Sequence, residues 1–498
     1  MKIYSLVALL VLAMNQHQAQ ESPTIPLSYC HISNLSQEVL CGSYTVEENR
    51  KAPNGRTIDL QIAVIPAVSE AKEADPLVLF AGGPGQGARA MGRFVRMSFR
   101  GINETRDIVL IDQRGMGDSR PLTCEMPDMQ LTEMDTESMQ QMYADMVTDC
   151  ASNIDADVTQ YTQDIANEDI HEVLVALGYD QVNLYGASWG TRSALLYANQ
   201  FPEQVRTVIV DGTAPLSNKV PLYFTRDAQK TINLMLQDCR NDESCNSTFV
   251  DLEQRFNQYL SDFPEDGVKV TLPDPNTAKM TEATIGKDAV ISAIRTILYS
   301  PDLSRMLPVV IERLIENDLR PLAGIMSAAG DAGMTLGATL TILCSEEYPR
   351  FTETEMATEA MGGFEAGTFA RLMGESCKLW PKAPLPEIYT QKLEQAMPTL
   401  ILSGALDPVT PAYWGDEMKV HFPNNLHLVA PNAGHNVAPV GCTDDLMTDF
   451  VKAASYENID AECLNDIKRP TFFLNSSGPV QREESATETA DDQGSTEE

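Results

Sequence analysis

Residues 181–201 read QVNLYGASWGTRSALLYANQF, an apolar run, a serine between two glycines, and then a helical pattern. This stretch constrains the fold more than any other. Val182, Leu184 and their neighbours form a short buried strand. Ala194, Leu195, Ala198 and Phe201 recur on one helical face. G-x-S-x-G between a strand and a helix predicts a tight elbow in which Gly186 and Gly190 allow close backbone approach. Ser188 then projects above the end of a sheet, and the first N–H groups of the following helix face any negative charge that develops there.

Three further runs end in the same way. DPLVLFAGGPG and RDIVLIDQRGMGDS each finish in a glycine-rich loop, and VRTVIVDGTAP follows one helix after the elbow. Short Val/Ile/Leu runs alternating with helical segments predict βαβ units and a parallel sheet. The pattern lapses after about residue 215 and returns in PTLILSGALDPVTP and NNLHLVAPNAGHN. The chain therefore divides into a leader over 1–20, a first part of an α/β core over 21–215, a largely helical cap over 216–397, a second part of the core over 398–474 and an acidic tail over 475–498. The tail is polar and poor in apolar residues, a composition expected to be disordered. The leader carries Lys2 and an apolar run from Ile3 to Met14, the shape of an export signal.

A serine hydroxyl needs a base, and the chain holds six histidines. His435 lies in a loop after a late strand, the position a base requires above such a sheet; the others fall in the leader, before the sheet, or in helices and strands. Asp407, in the loop after the preceding strand and 28 residues earlier, is the acid expected to orient it, with Asp211 at the end of TVIVDG as the competitor. The order Ser188, Asp407, His435 is that of an α/β-hydrolase. The N–H groups of Trp189 and Gly83 are the candidate oxyanion donors. In DQRGMGDS, Asp112, Arg114 and Ser119 are expected to knit a loop.

A formal net charge of −35 excludes a nucleic-acid footprint and an anionic membrane surface. No later segment is long and apolar enough to span a bilayer, so no membrane is expected after the leader is removed. Ten cysteines fall into sequence neighbours, which suggests five disulfides in an exported chain. No cysteine pair has zinc spacing, and neither metal nor cofactor is expected.

GGPGQG (82–87), DQRGMGDS (112–119), YGASWGT (185–191), DPVTP (407–411) and AGH (433–435) together resemble the secreted proline iminopeptidase and tripeptidyl aminopeptidase group of α/β-hydrolases, including a TAP-like C-terminal region. The resemblance implies an exopeptidase that releases one to three residues from a peptide with a free N-terminus, in a periplasm or outside the cell. It also implies acidic cap residues that hold the substrate's ammonium group, with Glu346 in TILCSEEYPR as the candidate and Glu347 as its substitute. Proline iminopeptidases carry a histidine before the double glycine where this chain has Ala81, and the insertion and cysteines look more like the tripeptidyl branch. Two other readings remain: an esterase or other small-molecule hydrolase on the same residues, and a binding protein on a hydrolase fold.

Overall fold

A computed structural model of the chain describes residues 25–125, 136–273, 279–329, 333–361, 363–364 and 367–479. The expected leader and most of the acidic tail lie outside these. The strands are β1 (Ser28–Cys30), β2 (Val39–Glu47), β3 (Thr57–Ile65), β4 (Leu77–Phe80), β5 (Ile108–Ile111), β6 (Val182–Ala187), β7 (Val205–Asp211), β8 (Val268–Pro273), β9 (Met280–Ile285), β10 (Thr399–Gly404) and β11 (Asn425–Ala430). Nine of them form one sheet in the order β1-β2-β3-β5-β4-β6-β7-β10-β11. From β5 to β11 every pair is parallel, while β1, β2 and β3 form an antiparallel edge. β4, β5, β6 and β10 are buried along their whole length, which is why β4 and β5 read as unbroken apolar runs and β6 and β10 as mainly apolar ones.

Side chains from both sheet faces build two cores. One contains Val78, Leu184, Leu196 and Val210, and the other Leu79, Tyr185, Ile209 and Phe450. The insertion builds a third core of its own around Ile232, Phe256, Ile294 and Ile311. Its elements are mostly helices, and β8 and β9 pair antiparallel within it as a separate hairpin.

The insertion does not behave as one body. Leu340, Leu343, Met373, Trp380 and Tyr389 pack into the sheet's core rather than into the cap's. Conversely, Phe472, near the end of the described chain, is buried among the cap helices. The Phe473 N–H donates to the Arg305 carbonyl at 3.0 Å, tying the C-terminal segment to the cap.

Five disulfides join Cys30 to Cys41, Cys124 to Cys150, Cys239 to Cys245, Cys344 to Cys377 and Cys442 to Cys463. Each joins sequence neighbours, and a chain so cross-linked fits an oxidising, exported setting. Among the described residues no helix is long and apolar enough to cross a membrane.

Candidate active site

Ser188 follows the last residue of β6 with φ 55° and ψ −121°, a conformation that L-residues rarely adopt, and the helix Trp189–Gln200 starts immediately after it. The glycines on either side explain how the turn closes. A Cβ on Gly190 would stand 2.1 Å from the Phe80 carbonyl oxygen, and one on Gly186 would stand 2.4 Å from the Gly190 carbonyl oxygen. The Ser188 N–H donates to the Asp211 carbonyl at 2.9 Å, fixing the elbow against the end of β7.

The glycine-rich loop after β4 lies alongside. A Cβ on Gly82 would come within 3.3 Å of Ser188 Cβ, so the Gly82–Gly83 peptide borders the serine. Trp189 supplies the first N–H of its helix, a group with no partner inside the helix. Trp189 thus follows Ser188 directly, and Gly82, which precedes Gly83, lies beside it in space.

Asp407 and His435 sit in loops after the neighbouring strands β10 and β11. His435 Nδ1 is 2.8 Å from Asp407 Oδ2. The carboxylate also accepts the N–H groups of Val409 (2.9 Å) and Thr410 (2.8 Å) on Oδ1, and the Thr410 hydroxyl on Oδ2 at 2.7 Å. Burial pushes the Asp407 carboxyl up, but His435 and these donors outweigh it and hold the group below the ordinary aspartate range. Burial likewise disfavours the charged imidazole, yet Asp407 and, further off, Asp211 lift His435 above its ordinary value. The histidine ring reaches back toward the elbow: a Cβ on Gly212, one residue beyond the Asp211 carbonyl that holds Ser188, would lie 3.1 Å from His435 Cε1.

Asp211 serves the histidine loop differently. Its carboxylate accepts the N–H groups of Val437 and Ala438 and the Tyr185 hydroxyl, and its carbonyl accepts the Asn436 side chain at 2.8 Å. It braces the loop that carries His435, whereas Asp407 bonds the ring. The sequence reading missed Thr410, whose hydroxyl touches both Asp407 and His435 Nδ1 (3.1 Å). The motif DPVTP contains it, but only the fold of the loop shows which way it turns.

The remaining described histidines are engaged elsewhere. His171 stacks on Phe201 and bonds Gln204, beside a cleft of about 580 Å³ at the opposite, N-terminal ends of β6 and β7. His421 bonds the Leu393 carbonyl, and His427 bonds Ser403 and Asp416. His31 is exposed before β2.

Glu346 and Glu347 are fully buried and spoken for. Glu346 accepts the Gln163 N–H at 2.6 Å and the Tyr389 hydroxyl, and burial pushes its carboxyl up to about 8, leaving it neutral at neutral pH. Glu347 pairs with Arg192 and accepts the Val220 N–H at 2.7 Å. The expectation that either holds a substrate ammonium does not fit: a neutral, enclosed carboxyl and an ion-paired one present no free charge. Arg192 lies one turn into the elbow helix, stacks 4.7 Å over the Trp189 ring and donates to the Ala214 and Pro215 carbonyls. Arg350, three residues beyond Glu347, also lies 3.4 Å from its carboxylate, but local sequence gave no sign of Arg192, which comes from a distant segment.

Arg114 is buried and grips Asp169 with two N–H groups at 2.6 and 2.8 Å, and Ser119 donates to the Asp112 carbonyl at 2.7 Å. DQRGMGDS thus ties its loop to the neighbouring helix. Among the described residues no cluster of three or more His, Cys, Asp or Glu is arranged to hold a metal ion.

Residues 75–253 match the family described as alpha/beta hydrolase fold, and residues 364–463 match that described as TAP-like protein. The chain has the α/β-hydrolase fold. Among curated relatives, the serine protease Hip1 of Mycobacterium tuberculosis is 24% identical over 473 residues, 87% of this chain and 90% of its own. A tripeptidyl aminopeptidase of Streptomyces coelicolor is 21% identical over 459 residues, 86% of this chain and 84% of its own. A proline iminopeptidase of Neisseria meningitidis is 31% identical over 139 residues, 28% of this chain and 32% of its own. The hydrolase is an enzyme of the serine-hydrolase class, similar to this aminopeptidase group.

Proposed function

We propose that the hydrolase is an exported serine exopeptidase that releases one to three residues from the free N-terminus of peptides. Its similarity along most of its length to proteins named serine protease and tripeptidyl aminopeptidase supports the peptide substrate. The observation that carries the chemistry is the 2.8 Å bond between Asp407 and His435, set above the same sheet edge as the strained Ser188.

In this reading Ser188 attacks the scissile carbonyl and His435 accepts its proton. Asp407 fixes the Nδ1–H tautomer and stabilises the imidazolium. The Trp189 and Gly83 N–H groups take the charge that develops on the carbonyl oxygen. His435 returns the proton to the leaving amine, and a water deprotonated by the same ring hydrolyses the acyl-enzyme. No step requires a cofactor.

The burial of Glu346 and Glu347 favours keeping a second reading, an esterase or other small-molecule hydrolase on the same three residues, because it removes the named ammonium ligands. Matched fluorogenic peptides of one to three residues, with free and acetylated N-termini, separate the two. A rate that depends on the free amine supports the exopeptidase, and the preferred length assigns the branch. Equal or faster cleavage of acetylated peptides or simple esters supports the esterase.

A further inference from the structure

The cap reaches the catalytic loops at a specific point. Tyr299 follows the cap helix Lys287–Leu298, and its carbonyl accepts the His435 N–H at 2.9 Å. Its ring stands edge-to-face against the His435 imidazole, with centroids 5.0 Å apart at 73°. Gly434 permits this approach, since a Cβ there would lie 2.3 Å from the Tyr299 carbonyl oxygen. On its other side the Tyr299 hydroxyl accepts from Arg295 at 3.4 Å, and that guanidinium lies over the rings of Phe224 and Phe369. The base is thus held from two directions: by Asp407 and Thr410 from the sheet, and by Tyr299 from the cap.

We propose that Tyr299 is a positioning residue for the hydrolytic reaction, a cap side chain that holds the His435 ring on its line to Ser188 and shields it from water. The inference rests on the serine-hydrolase reading above. Ring orientation matters because a shift on the order of 1 Å in a reacting group can cost about a hundredfold in rate.

Shielding also gives a sign. Burial is the largest influence disfavouring the charged ring, opposed by Asp407 and Asp211. Thr410 also contacts the ring, Tyr185 bonds Asp211, and Arg295 sits behind Tyr299. Removing the Tyr299 ring admits water without touching the acids, so the imidazolium becomes easier to form. The acid limb of the rate profile then moves to higher pH.

The test compares Tyr299→Ala, Tyr299→Leu and Tyr299→Phe in the full chain. Readouts are kcat, KM, the pH profile of kcat/KM and the thermal midpoint. The expectation is a fall in kcat of about tenfold or more for Tyr299→Ala with KM within about twofold, and an acid limb displaced upward. Tyr299→Leu, which keeps apolar cover, shifts the limb less, and Tyr299→Phe, which keeps the ring, restores the wild-type profile. An unmoved acid limb in folded Tyr299→Ala or Tyr299→Leu protein overturns the proposal, as does a kcat loss that follows the thermal midpoint alone. Failure of the underlying reading is distinguishable, because it appears as activity retained by Ser188→Ala.

Discussion

Ser188 occupies backbone space that costs on the order of 1–3 kcal/mol, so its neighbours must enforce it. Gly190→Ala places a methyl against the Phe80 carbonyl and should open the elbow. We expect a loss of about 1–3 kcal/mol in denaturant unfolding together with a fall in activity, since the same contact fixes Ser188. Ser188→Ala should leave unfolding nearly unchanged while lowering kcat by about 10³-fold or more. The histidine gives a pH prediction. His435 must be neutral to accept a proton, and its folded value lies above the ordinary 6.5. Activity should therefore rise with pH through a midpoint above 6.5, with Asp407 ionised throughout; a limb below 6.5 contradicts the geometry. By linkage, the raised imidazole contributes stability at low pH that disappears as pH climbs through the same midpoint. At this scale the elbow and the order of the three candidate residues were legible, because they lie in short motifs with forced local geometry. The fates of Glu346 and Glu347 were not. TILCSEEYPR reads as an acidic stretch; Arg350 within it lies 3.4 Å from Glu347, but Arg192, Gln163, Tyr389 and Val220, which also neutralise or enclose the two carboxyls, are distant in sequence.

The elbow helix Trp189–Gln200 is anchored at its first turn by Arg192, whose partner Glu347 lies in the insertion. Both side chains are fully buried, so removing Glu347 leaves Arg192 without an acid, and removing Arg192 leaves Glu347 with the longer Arg350 contact as its ion pair. Glu347→Gln or Arg192→Met should each cost about 3–5 kcal/mol, measured by denaturant unfolding, and the double replacement should recover part of the loss. Additive losses would mean that the pair is not a unit. The buried parallel strands were readable at this scale because two covered faces demand apolar runs. The β8–β9 hairpin was not. VKVTLP alternates apolar with polar residues, but a reading by average composition across a long helical insertion submerges two six-residue strands. That the segment with Leu343 and Trp380 packs on the sheet rather than in the cap was equally hidden, because a helix's apolar face does not name its partner.

Across the whole molecule, the cap is joined to each catalytic loop. Thr335 N–H bonds the Gly85 carbonyl at 2.9 Å, the Thr231 hydroxyl bonds the Asp407 carbonyl at 3.0 Å, and the Tyr299 carbonyl takes the His435 N–H. The Cys344–Cys377 disulfide closes the segment that carries Glu346 and Glu347. Replacing both cysteines by serine should cost about 2–4 kcal/mol, read as a lower thermal midpoint. The loss of activity on heating should then precede global unfolding, because this segment supports the elbow. The central claim, that one activated serine at the elbow does the chemistry, is tested most directly by reacting the enzyme with a fluorophosphonate probe and mapping the adduct by peptide mass analysis. The account predicts a single adduct on Ser188, formed far more slowly when His435 is replaced by alanine. An adduct on another residue, or none in folded and active enzyme, would contradict it.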